Sequence, residues 1–446
     1  MTGASPAEAG FSRRMPAALL ALLVAVRLAA VAIQPLLAER VPDWAWANND
    51  GYDALAANWL ATGAFSLDPG VPTALRLPLY PALLALARLA AGPAYVWATM
   101  LLQAALSVAT GVVLFRLAAE LFGRRVAAWT VVLFVVHPQV NNFVVRCATE
   151  TLFTFLAAAF ALAATRFARD RRGRDLVGAA AWLGLSLLTR PTLAALAWLG
   201  LASLLAWSWA GRRDALRRLG WTAAAAGTTL LIVAPWLARN WVRSGGEWIW
   251  QTWVGQPLCQ GVYVSGHLDE FLQRRKSLTE LDQDCLHDTL LLDRRLSRTL
   301  AAGRTGIARE VVADRYFRAR ARQMAPDRPA ERARLLLRNL LWAPVLQMTW
   351  RGTWILIPWN WPLLLLGAWG AAASLWKRPR CWREFAPTLA LFAFVYVGHA
   401  ATWPQARYVL PGLVPFLAFS AAGLAEAFTA WPARAPAPPA RRPSST

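Results

Sequence analysis

Acid is short in this chain: 25 aspartates and glutamates stand against 47 lysines and arginines, a formal net charge of +22 over 446 residues. Lysine is almost missing as well, with Lys276 and Lys377 the two present, so the positive charge is carried by arginine. Such an excess would suit nucleic acid if it formed a basic fold unit. Here the arginines fall in short stretches between apolar blocks, where they orient helices and meet anionic lipid, and no nucleic-acid partner is expected. Cysteine and histidine are scarce, four of each. His137, His267, His287 and His399 are dispersed, and the chain has no C-x-x-C or H-E-x-x-H pair, no Gly-rich phosphate loop and no G-x-S-x-G elbow. The readings those motifs would carry are absent with them.

What is present is apolar sequence in long blocks. Hydrophobic residues make up 57% and charged residues 16%, too apolar for a soluble domain, and a spanning helix needs roughly 20 mostly apolar residues. The expected fold class is an all-α polytopic membrane protein. Basic clusters at 13–14, 116–125, 166–175, 211–218, 377–384 and in the tail predict one common side, the cytoplasm. That assignment gives ten spans near 15–37, 95–119, 125–141, 150–166, 175–189, 192–210, 219–237, 354–376, 385–402 and 408–429, with both termini inside. The first block is too long for a secretory h-region and reads as a retained anchor. Two apolar runs are then expected not to cross. One is 77–91, which contains Arg88 and two prolines, and the other is 335–350, interrupted by Arg338, Asn339 and Pro344. The organisation expected is an N-terminal membrane module (1–237) with a large outer loop (38–94), an extracytoplasmic helical cap (238–335), C-terminal membrane helices (336–430) and a disordered cytoplasmic tail (431–446).

The outer loop is far richer than a connector needs. It carries acids at Asp43, Asp50, Asp53 and Asp68, and Asp50 and Asp53 open an amphipathic run. Carboxylates held where a membrane meets water suggest chemistry at that surface. Other polar residues expected at the same edge are Arg76, Tyr80, Arg146, Glu150, Arg190, Arg239, Asn240, Arg407 and Tyr408. Each also has a plainer reading. Asp50 would serve as the N-cap of a helix starting at Gly51, with Asp53 favourable at its positive end, and Glu150 follows Thr149 in an ordinary capping position. The arginines would serve as snorkelling headgroup ligands or, converging, as a phosphate cradle. Tryptophans crowd the same side, among them Trp44, Trp46, Trp236, Trp241, Trp248, Trp250, Trp253, Trp354 and Trp359, as interfacial anchors do. Arg27 stands apart near the middle of the first span, where a cation is costly and marks function by default. Cys259 and Cys285 share the outer segment, where a disulfide is permitted; Cys147 and Cys381 have no obvious mate.

Six stretches bring a family into view: DGYDALAANWLATGAFS (50–66), RLPLYPALLAL (76–86), ATETLFTFLAAAFAL (148–162), GLSLLTRPTLAAL (184–196), APWLARNW (234–241) and RYVLPGLVPFLAF (407–419). Their order resembles the GT-C superfamily of polyprenyl-phosphate-sugar glycosyltransferases, in particular bacterial members related to protein O-mannosyltransferases and lipid A aminoarabinose transferases. The resemblance implies a hexosyl or pentosyl transfer from a polyprenyl-phosphate donor to an extracytoplasmic acceptor, at the outer face of a multi-pass plasma (inner) membrane protein. It places the catalytic base on Asp50 and a supporting acid on Glu150. Many relatives carry an acidic pair at the first position; Gly51 breaks it here, leaving Asp53 as a substitute. In that chemistry Arg190, Arg239 and Arg407 would hold the departing phosphate. A divalent cation held by Asp50 and Glu150 could share the role, which the sequence does not demand. The rival reading is a secondary transporter or lipid flippase. Such proteins tend to show paired halves and charges near the midplane, neither of which is visible beyond Arg27.

Overall fold

Prolines and left-handed residues set where the helices of this chain begin and end. The computed structural model describes residues 15–40, 50–209, 214–269, 303–347 and 349–430. Asp43, Trp44, Trp46, His287, Cys285 and the tail 431–446 lie outside them, so the pairing expected of Cys285 does too. The first half runs α1 (Ala17–Arg40), α2 (Tyr52–Thr62), α3 (Leu79–Ala91), α4 (Tyr95–Phe122), α5 (Arg124–Val136), α6 (Pro138–Val144), α7 (Glu150–Asp170), α8 (Gly173–Leu187) and α9 (Ala194–Trp209). It continues through α10 (Ala215–Ser244), α11 (Gly255–Gly266), α12 (Gly306–Met324), α13 (Pro329–Trp342), α14 (Trp350–Lys377), α15 (Trp382–Thr402) and α16 (Ala406–Ala430). The protein is an all-helical polytopic membrane protein.

Eight helical stretches among the described residues are long and apolar enough to cross a membrane, and they coincide in position with eight of the ten expected spans. The other two, near 125–141 and 175–189, are the helices α5 and α8 of 13 and 15 residues. At 1.5 Å per residue these reach about 20 and 22 Å, short of a hydrocarbon core of roughly 30 Å. Each is cut by a proline. Pro138 restarts the chain as α6 after His137, and Pro191 forces Arg190 into an extended conformation (φ −148°, ψ 139°). The run expected not to cross forms α3, which leads through a short turn into α4. It buries Tyr80, Leu84 and Ala87 and turns Leu86 and Leu89 outward.

The helix α16 lies at the centre of the bundle, buried along most of its length. It packs closely on α14 because small residues meet there: a Cβ at Gly370 would strike the Phe419 carbonyl, and one at Gly423 the Leu366 carbonyl. Close backbone approach of this kind is how membrane helices gain packing when lipid is as apolar as their own side chains. On α2 the apolar positions Tyr52, Leu55 and Ala56 share one face and pack with Phe65, Tyr80, Leu84, Leu152 and Trp236. A fully buried leucine such as Leu55 contributes on the order of 1.5–3 kcal/mol, so the outer loop docks as a built element.

Arg27 is buried and fully engaged. Its Nε donates to Ser107 Oγ at 2.8 Å, its terminal nitrogens donate to the carbonyls of Val135 and Phe134 at 3.4 and 3.3 Å and to Asn141 Oδ1. Those carbonyls end α5, which Pro138 prevents from continuing, so the cation replaces the missing helical donors. The cost of placing an arginine at this depth is met by backbone acceptors, which makes Arg27 a structural clamp.

Two carboxylates of α12 tie it to its surroundings, Glu310 to the loop before α3 and Asp314 to the start of α11. Glu310 accepts from the Thr73 hydroxyl, from Ala74 N at 2.9 Å and from Thr252 Oγ1 at 2.8 Å. Asp314 accepts from the backbone nitrogens of Val254 and Gly255 at 2.9 and 2.5 Å. Thr252 N in turn donates to Ala74 O at 3.0 Å. The tryptophans expected as anchors divide: Trp248 and Trp354 are exposed, whereas Trp236 is buried and donates to Trp250 O at 2.8 Å.

Candidate active site

Asp50 and Gly51 both adopt left-handed φ, 54° and 80°. Aspartate tolerates that region better than most residues and glycine adopts it freely. The resulting turn makes Gly51 the N-cap of α2, with no side-chain capping bond. Asp50 is therefore not the cap, and its carboxylate points elsewhere. Oδ1 lies 3.7 Å from Arg76 and Oδ2 3.6 Å from Arg407, while the Asp50 carbonyl accepts from Arg76 Nε at 3.0 Å. Arg76 is held between two aromatic faces, 5.6 Å from the Tyr52 ring and 4.6 Å from that of Trp253.

Glu150, the first residue of α7, is buried. Arg190 NH2 lies 2.6 Å from its Oε1 and Arg407 Nε 3.7 Å from the same oxygen. The extended conformation imposed by Pro191 aims Arg190 here, and its Nε also donates to Thr149 Oγ1 at 2.7 Å. Arg407, one residue into α16, thus sits between both carboxylates. It donates to the Tyr408 hydroxyl, and the Tyr408 ring lies 5.0 Å from the Arg190 guanidinium. Two guanidinium nitrogens, Arg190 NH1 and Arg407 Nε, are buried without a hydrogen-bond acceptor. Burial pushes the Asp50 carboxyl up, but the charges of Arg407, Arg76 and Arg190 outweigh it and hold the group below the usual carboxylate range. Arg146, buried and close enough to feel Glu150 and Arg407, adds a fourth cation.

Of the eleven residues singled out from the sequence, Asp50, Glu150, Arg76, Arg146, Arg190, Arg407 and Tyr408 converge. The other four are drawn into supports. Asp53 pairs with Arg88 at 2.7 Å and accepts from Tyr95 at 3.0 Å. Tyr80 donates to Gln103 at 2.9 Å behind Tyr52, which it meets edge-on. Arg239 donates to the carbonyls of Thr73 and Phe65 at 2.7 and 3.0 Å and to Asn240 Oδ1, and Asn240 bonds Ile249 O at 3.0 Å. Arg239 and Asn240 therefore hold the outer loop to α10, and Arg76 takes the place expected of Arg239. Trp253 and Tyr52 were not foreseen as parts of the cluster; the signal available was their aromatic character close to an arginine-bearing loop.

The donor set does not fit a divalent cation. Two carboxylates face four guanidinium groups, and among the described residues no three of His, Cys, Asp and Glu gather as ligands.

Residues 72–238 match the family profile for dolichyl-phosphate-mannose-protein mannosyltransferase. The oligosaccharyltransferase of Archaeoglobus fulgidus in its apo form has the same fold, with a TM-score of 0.50 at 16% identity over 92% of this chain and 50% of its own. The family match is confined to residues 72–238, and the structural match is one of fold. Archaeoglobus fulgidus AglB in complex with an inhibitory peptide and a dolichol-phosphate gives 0.49 at 16% identity over 93% and 50% of the two chains. ArnT of Cupriavidus metallidurans bound to undecaprenyl phosphate gives 0.40 at 14% identity over 92% and 79%. The chain spans about half the length of the oligosaccharyltransferases. No curated protein matches it in sequence. The matched family segment contains Arg76, Arg146, Glu150 and Arg190 of the cluster.

Proposed function

We propose that this chain is a GT-C protein that transfers a sugar, hexose or pentose, from a polyprenyl-phosphate donor to a hydroxyl acceptor at the outer face of the plasma (inner) membrane. The observation that carries the reading is the Arg407 bridge between Asp50 and Glu150 at 3.6 and 3.7 Å. It sets an ionised, part-exposed carboxylate beside a group of cations. Four guanidinium groups against two carboxylates leave an excess of two positive charges, which suits the dianion of a departing phosphomonoester. Asp50 accepts the proton of the acceptor hydroxyl while its oxygen bonds to the anomeric carbon, and the anomeric carbon–phosphate oxygen bond breaks. The electron pair goes to the phosphate, which Arg76, Arg190 and Arg407 hold, with the unpartnered Arg190 NH1 available to it.

A carboxylate held below its usual range is a weak base for an alcohol. Most of the acceleration must therefore come from orientation and from charge stabilisation of the leaving group. Glu150 acts by fixing Arg190 and Arg407. The prenyl tail stays in lipid.

Native mass spectrometry of the purified protein with undecaprenyl phosphate tests the binding half. Retention by wild type and its loss in Arg190→Gln and Arg407→Gln is expected. Equal retention by all three, together with no transfer from a panel of prenyl-phosphate sugars, would overturn the proposal.

A further inference from the structure

A second convergence of arginines lies at the far end of the bundle from Asp50. The helix α7 runs 21 residues from Glu150 to Asp170, or about 30 Å, so its ends belong to opposite membrane faces. At the Asp170 end the carboxylates gather on one side. Glu120 pairs with Arg166 at 2.7 Å and with Arg169 at 3.2 Å, and Asp170 with Arg169 at 2.9 Å and with Arg172 at 3.9 Å. Arg171, between those pairs, has none. It is the C-cap of α7 in a left-handed conformation, φ 53°, and besides Asp50 it is the one non-glycine residue with positive φ among the described residues.

On this side Arg217, 5.2 Å from the Trp221 ring, pairs with Asp214 at 3.2 Å, whereas Arg171 and Arg218 are held by aromatic rings. The Arg171 guanidinium lies 5.5 Å from the Phe167 ring and 5.4 Å from that of Trp207. Arg218 lies 4.9 Å from the Trp207 ring and donates to the Trp207 carbonyl at 3.2 Å. Arg171 and Arg218 thus share the Trp207 ring, and burial, then the charges of Arg383 and Arg218, lower the Arg171 pKa. Among the described residues none of the three makes an ion pair with a carboxylate. Trp207 stacks on Trp221 with centroids 6.5 Å apart, and the two indoles cover an apolar floor of Phe167, Leu176, Ala180 and Ala225. That floor opens between α9 and α10, which are largely exposed along their apolar lengths and so face lipid.

We propose that Arg171, Arg218 and Arg383, with the faces of Trp207 and Trp221, bind the phosphate headgroup of an anionic phospholipid in the adjacent leaflet. Three clustered cations without a counter-ion repel one another unless an anion sits among them. The indole wall and apolar floor give acyl chains a surface that a free phosphate would not use. The site is separate from the Asp50 cluster and does not depend on the reaction proposed for it.

The test is native mass spectrometry of the full chain titrated with phosphatidylglycerol and phosphatidylcholine. Wild type is expected to prefer phosphatidylglycerol, and Arg171→Gln/Arg218→Gln to lose at least about tenfold of that affinity with phosphatidylcholine unchanged. Basic residues near an anionic surface contribute about 1 kcal/mol each, about fivefold. A matched variant, Arg124→Gln/Arg174→Gln, removes two exposed cations of the same face and should keep wild-type affinity. Arg383→Gln alone, on an exposed turn, should weaken binding about fivefold and guards against misfolding of the double variant. Equal loss in the two double variants would mean diffuse surface charge and end the proposal. So would equal retention of the two lipids, or displacement of bound phosphatidylglycerol by inorganic phosphate at matched concentration.

Discussion

Replacing Asp50 by asparagine separates its chemical role from its structural one. Asparagine also adopts left-handed φ without much strain, so the turn at φ 54° should persist, and Gly51 supplies the helix cap in either case. What the change removes from the fold is two ion pairs of 3.7 and 3.6 Å to a side chain that is 36% exposed. Discounted for solvent, these amount to under about 1 kcal/mol. What it removes from the reaction is the proton acceptor, a loss of about 10²–10⁴-fold, or about 2.7–5.5 kcal/mol of barrier. Asp50→Ala should lose the same activity and additionally about 1 kcal/mol of stability, because alanine resists the left-handed region. The assay is transfer from a prenyl-phosphate sugar in detergent, alongside thermal melting of each variant. Because the arginines hold the Asp50 carboxyl below its usual range, its ionised form persists as pH falls. The activity it supports should be flat from neutral into mild acid and decline only below about pH 4, the ordinary aspartate value. Its contribution to stability has the same sign, present above the unfolded-state pKa and lost as pH falls through the folded one. Wild-type transfer by Asp50→Asn would refute the assignment of the base, and an Asp50-dependent acid limb near pH 6 would refute the electrostatics.

Three further outcomes follow from the contacts. Asp53→Asn should lower melting temperature through the lost Arg88 pair at 2.7 Å and change transfer per folded molecule less than twofold; a hundredfold loss would return Asp53 to the reacting group. Glu150→Gln takes the carboxylate from the mostly buried Arg190, while Arg407 keeps Asp50; it should cost up to about 3 kcal/mol of stability and reduce transfer by less than Asp50→Asn does, as read by melting and single-turnover rates. Arg27→Met strips a donor from the Phe134 carbonyl, at about 1–3 kcal/mol for a buried acceptor left unpaired, while the Val135 carbonyl keeps Asn141 Nδ2 at 3.0 Å. Melting should fall, and transfer by the folded fraction should be unchanged if the residue is a clamp.

Much of the membrane architecture was legible because apolar blocks and arginine-rich turns are local features of the sequence. The two short helices were not. Their apolar runs continue past His137 and Leu187, and the stops come from Pro138 and Pro191, whose effect on length shows only when the helix is built. Within the candidate site, Asp50, Glu150, Arg190 and Arg407 were legible as polar residues at one expected edge. Arg239 was misassigned for a physical reason: an arginine near headgroup depth serves a phosphate or a carbonyl equally well, and composition cannot tell which acceptor reaches it first. The Thr73 and Phe65 carbonyls did. Arg76 gained the role because Tyr52 and Trp253, far apart in sequence, meet around it. Arg27 shows the converse, since a charge at midplane signalled function and is bonded to the carbonyls at the end of α5, where Pro138 stops the helix.

The Arg407 bridge also bears on how the protein matures. Asp50 enters with the first outer loop, Glu150 and Arg190 with the middle of the bundle, and the cation that joins the two carboxylates arrives on α16, the last helix described. A chain still threading into the bilayer therefore holds two acids and an incomplete set of counter-charges. No partly inserted intermediate owns the finished cluster, which is complete only when the final helix seats against the rest of the bundle.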